Sequence, residues 1–177
     1  MTTIDRTVAV HEAGHAFAHH QFGVPFTAVS IVPDDESYGR CSTAPEAIDQ
    51  LTGIVEDTER ETDPADYDRI MDTHIIAWYV GPAAKSKYTG RPFLECLEGQ
   101  GDDELSWDNI FGLFADVSER EAYIRAMQRQ ALLQVAEPAH WPSISAFADA
   151  LERDCEIGGA TATTIFRTDL SVARDRT

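Results

Sequence analysis

Two imidazoles and a carboxylate in the run His11-Glu12-Ala13-Gly14-His15 constrain this chain more than any other feature. On a helix, residues four apart share one face about one turn from each other. His11 and His15 then aim two rings at one ion, with Glu12 standing beside them. This is the HExxH arrangement, in which the histidines bind zinc and the glutamate is the general base. A structural zinc site is closed by four protein ligands, whereas a catalytic one keeps a position for water and lowers its pKa to about 7. The motif needs a helix, and the sequence predicts one from about Asp5 to Phe22. Gly23 suits the left-handed residue past its end, and Pro25 prevents continuation.

Two further histidines follow on the same helix. His19 is four after His15, but Ala16 stands where a base would be, and the pair lies another ~6 Å along the axis. His20 points to a different face. The longer HExxHxxGxxH pattern needs a glycine and a histidine where this chain has Ala18 and Gln21. Metzincins are thereby excluded, and His19 and His20 read as surface groups or as groups behind the ligands.

Beyond the helix, Phe26 to Pro33 alternates and is rich in β-branched residues, which predicts a strand. A turn around Gly39 leads to a return strand, Arg40 to Thr43. A second helix is expected from Pro64, carrying Ile70, His74, Ile75, Trp78 and Tyr79 up to Gly81-Pro82, where the proline would kink or end it. Further helices are expected from the Asp102-Asp103-Glu104 cluster, from a capping box at Ser118 and from Ser143 to about Arg153. The reading is a mainly α (α+β) domain over residues 1–157, with a small antiparallel sheet. Residues 158–177 are expected to be a loosely held tail.

The net charge is −17, with 31 acidic residues against 14 basic ones, and such a field disfavours nucleic acid and anionic membrane surfaces as partners. The longest apolar stretch, Ile75 to Ala84, is about half the roughly 20 residues that span a bilayer. No basic start followed by an apolar run precedes the motif, so a cytoplasmic location is expected. Cys41, Cys96 and Cys155 form no CxxC pair, which argues for reduced thiols and against a cysteine zinc site.

Three segments together resemble the peptidase domain of the FtsH-type AAA proteases. The first is Val8-Ala-Val-His-Glu-Ala-Gly-His-Ala16, followed by Val29-Ser-Ile-Val-Pro33 and Gly39. The second is Gly81-Pro-Ala-Ala84, similar to that family's GGRAAE segment. The third is Gly99-Gln-Gly-Asp-Asp103, similar to its TTGxxxD segment, whose aspartate is the third zinc ligand. The resemblance covers about residues 7 to 155 and implies a helical zincin-like peptidase domain with zinc as cofactor. Asp103 and Asp102 compete for the aspartate role. From Asp103, Trp107, Ile110, Phe111 and Phe114 fall on a helical stripe on the ligand's face, which favours it.

Departures from the family shape the expected function. No GxxxxGK[ST] loop is present, so neither an ATPase nor ATP is expected, and the substrates implied are peptides or unfolded segments. Lys85 stands where the family has glutamate, and Pro82 where it has its second glycine. The expected activity is zinc-dependent peptide hydrolysis with Glu12 as base and His11, His15 and Asp103 as ligands. The strand near Val29 to Val32 would offer an edge for an extended substrate. Tyr38, His74 and Tyr88 are the candidate oxyanion stabilisers. One alternative is a zinc-binding regulatory or interaction module without turnover, and another is a metallopeptidase using Glu95 or Glu98 as a glutamate ligand.

Overall fold

The structure, a computed structural model, describes residues 5–33, 37–49, 64–97, 114 and 116–174. Helix α1 (Arg6–Phe22) starts at Asp5, whose side chain accepts from the Thr7 amide at 2.9 Å. That hydrogen bond holds the Asp5 carboxyl below its usual range. Gly23 ends the helix with φ 72° and returns its N–H to the carbonyls of His19 and His20. Every residue from Ala9 to His19 is buried. Alanines, Val10 and Phe17 supply the apolar part of this buried surface, and His11, Glu12, His15 and His19 are buried among them.

Two long helices flank α1. Helix α2 (Pro64–Thr89) runs antiparallel to it, with Tyr88 beneath the Arg6 guanidinium and Ala77 level with His15. A short helix, α3 (Phe93–Leu97), follows, and then α4 (Val117–Ala136) packs on the far side of α2. There the Tyr123 hydroxyl donates to Asp72 at 2.6 Å, while Lys87 donates to the Val135 carbonyl at 2.6 Å and lies over Trp141. Helix α5 (Trp141–Asp154) covers the other side of α1, also antiparallel. Arg6 meets Asp149 and Glu152 near the end of α5, and Phe17 meets His140 at its start.

Strand β1 (Phe26–Ser30) is the middle of a three-stranded antiparallel sheet. β2 (Arg40–Thr43) pairs on one side, with Val29 opposite Cys41, and β3 (Glu156–Gly158) on the other, with Val29 opposite Ile157. Helix α6 (Gly159–Arg174) closes the chain's described part. The molecule is thus mainly helical with a small antiparallel sheet. Among the described residues, no helix is long and apolar enough to cross a membrane.

Several expectations change. The second helix does not end at Gly81-Pro82 but continues to Thr89 with Pro82 inside it. Pro82 donates no hydrogen bond to the Trp78 carbonyl, a defect costing about 3 kcal/mol in an isolated helix. Here the surrounding turn is buried between α1 and α4, and that packing overrides the local preference. The cap of α4 is Asp116, which accepts the Ser118 and Glu119 amides at 2.7 and 3.0 Å, rather than Ser118 itself. The expected tail is instead the end of β3 and then α6. Phe166 anchors α6 by stacking on Phe147 at 4.7 Å and on His20 at 5.2 Å. Finally, β1 has neighbours on both sides, so the strand near Val29 presents no open edge to a substrate. An added strand would have to pair with β2 or β3.

Candidate metal centre

The helix brings the two motif histidines together as the spacing requires. His11 Nε2 and His15 Nε2 lie 3.0 Å apart, with the rings nearly perpendicular at 81°. Two nitrogens bound to one tetrahedral zinc at about 2.0–2.1 Å would lie roughly 3.3 Å apart, close to the observed separation. His15 Nδ1 is 2.9 Å from the Ala77 carbonyl on α2. A carbonyl only accepts, so Nδ1 carries the proton and Nε2 keeps its lone pair for an ion. Metal-binding histidines are typically oriented in this way by a partner on the other nitrogen. The residues present therefore fit zinc at these two positions.

Glycine lets α2 come this close. A Cβ at Gly81 would stand 2.2 Å from His15 Nε2, and one at Gly14 would stand 2.7 Å from the Val80 carbonyl and 2.9 Å from the Gly81 Cα. Neither glycine has a left-handed φ, so space rather than backbone conformation demands it. Sequence reasoning noted Gly81 only as part of a family segment and left out the Ala77 carbonyl. A backbone acceptor has no residue signature.

His11, Glu12 and His15 are each about 95 % buried, at 6, 5 and 6 % exposure. Burying a carboxylate and two imidazoles in one turn is unfavourable without partners or an ion. Among the described residues, no group of three His, Cys, Asp or Glu is placed to hold a metal. Asp103 and its competitor Asp102 lie outside the described residues, as does Glu98. Glu95 lies on helix α3 and pairs with Arg91 at 3.3 Å.

The candidate oxyanion stabilisers stand in three different settings. Tyr38 is 81 % exposed and Tyr88 is occupied by Arg6. His74 is buried in the seam between α1 and α2, near Trp78 and within electrostatic reach of His19. His19 is not a surface group, since it is 3 % exposed and packs edge-on to Phe26. Burial, then the neighbouring His15 and His74, push its pKa down to about 3. Burial lowers those of His74 and His20 as well.

A pH dependence of stability follows. In the unfolded chain His19 titrates near 6.5 and in the fold near 3, so between these values the unfolded state binds more protons. The contribution of neutral His19 is complete above about 6.5 and is lost as pH falls toward 3, by up to about 1.4 kcal/mol per pH unit. The zinc-free protein should therefore lose Tm steadily from pH 7 to 4, and His19→Leu should flatten the slope. An identical slope in the variant would remove His19 from the account.

A scan of protein families and a search of curated proteins each give no match to this chain. The resemblance to the FtsH-type peptidase domain rests on the three segments themselves.

Proposed function

We propose that this chain is a zinc-dependent peptidase of helical zincin-like architecture, similar to the peptidase domain of FtsH-type proteases. One observation carries the reading. On a buried helix, two imidazole Nε2 atoms converge to 3.0 Å with Glu12 alongside, and His15 is held in the metal-binding tautomer by the Ala77 carbonyl. In this reading His11 and His15 hold zinc together with Asp103. When bound, zinc supplies a Lewis acid that polarises the scissile carbonyl and acidifies water. Glu12 takes a proton from the attacking water and returns it to the leaving amine. Its burial strengthens that charge's interactions by excluding solvent. The substrates are peptides or unfolded segments.

The test is zinc content together with hydrolysis of an unfolded, chemically reduced protein, with and without chelator. About one zinc per chain, and activity lost to chelator and restored by zinc, is the expected result. Bound zinc with no hydrolysis would leave the metal-binding module without turnover. In the same titration Asp103→Ala should lose the metal and Asp102→Ala should keep it.

A further inference from the structure

The first residue of the β2 approach, Gly39, lies directly against the carboxylate of the metal motif. An ideal Cβ at Gly39 would stand 2.8 Å from Glu12 Oε1, 2.9 Å from Glu12 Cγ and 2.7 Å from Val8 Cγ1. Real Cβ atoms essentially never make contacts under 3.0 Å, so with alanine at this position the Val8 and Glu12 side chains must give way. The positive-φ glycines among the described residues are Gly23 and Gly90, so Gly39 is not a glycine for conformational reasons. What the position requires is an absence of volume beside Glu12. The register places it there: Ser30 pairs with Arg40 and Val29 with Cys41, which carries the hairpin over the first half of α1.

We propose that Gly39 is a positioning residue, the bare backbone that fixes the Glu12 carboxylate beside the two imidazoles. Gly81, on α2, performs the corresponding task for His15. The two glycines thus divide the motif, one setting a metal ligand and the other the carboxylate. The inference rests on the proposed role of Glu12 as base. It adds that the β1–β2 hairpin, not α1 alone, determines where that base points. Misplacing a reacting group by about 1 Å can cost on the order of 10²-fold in rate.

The experiment compares full-length, zinc-loaded wild type with Gly39→Ala. Zinc content should be unchanged, KM close to wild type, and kcat lower by about tenfold to a hundredfold. The carboxyl carbon resonance of Glu12, identified by its loss in Glu12→Gln, should move. In a Glu12→Gln background, which has no base left to misplace, Gly39→Ala should cost no further kcat. If Gly39→Ala folds poorly, adding Val8→Ala removes the aliphatic overlap and leaves the one on Glu12, so the same measurements apply. Wild-type kcat in Gly39→Ala, or zinc lost together with activity, would overturn the proposal. If wild type binds zinc but hydrolyses nothing, the peptidase reading fails by itself. Gly39 is then judged by the Glu12 resonance, which supports the placement if it moves and overturns it if it does not.

Discussion

Glu12→Gln should keep the one zinc per chain expected of wild type and hydrolyse peptides about 10²–10⁴-fold more slowly. The amide is nearly isosteric with the carboxylate, so the packing against Gly39 and Val8 and the geometry of His11 and His15 are preserved. What it lacks is the capacity to accept the water's proton. The side chain keeps its volume, so the core packed around it is kept and the variant's Tm should stay close to that of wild type. Loss of activity with intact zinc and intact Tm isolates the proton transfer from folding and from metal binding. Undiminished hydrolysis would sink the assignment of Glu12.

The second large effect is expected at a residue with no side chain. Gly81→Ala should lower zinc affinity by at least about 10–100-fold, the scale on which groups that orient metal ligands act. The new methyl would stand 2.2 Å from His15 Nε2, the nitrogen proposed to hold the ion, and 2.5 and 2.6 Å from Cε1 and Cδ2 of the same ring. His15 must swing away and give up the Ala77 carbonyl, or α2 must retreat from α1. The retreat is opposed by the tight contact at Gly14 and by the buried seam. Alanine favours a helix over glycine by about 1 kcal/mol, so the local helix gains while the metal is lost. Competition with a chromophoric chelator measures the affinity, and wild-type affinity would show that His15 does not sit where the structure places it.

Much of this was legible in the sequence where the signals are local. Helix α1 announces itself through Asp5, the alanine-rich periodicity and Gly23, and the structure follows those limits to within a residue. The β1–β2 hairpin was equally readable from its β-branched alternation. Strand β3 was not, because Glu156-Ile157-Gly158 is too short to carry a pattern and is a strand only because β1 has a side to fill. The passage of α2 through Pro82 escaped for a related reason, since the compensating packing comes from helices distant in sequence. In the site, the spacing fixed His11 and His15 on one face. Their orientation depends on a main-chain oxygen and two missing side chains, which are tertiary facts. The burial of His19 belongs to the same class, because nothing within its own helix says that α2 and β1 close over it.

One consequence of α1's position reaches beyond the reaction. The helix that bears His11, Glu12 and His15 is also the element about which the core is assembled, buried from Ala9 to His19. Melting that core scatters the ligands at the same moment, and any ion held by the native arrangement adds its binding free energy to the persistence of the entire domain. Chemistry and durability are therefore inherited together on one stretch of 17 residues. A substitution between Ala9 and His19 answers to both at once.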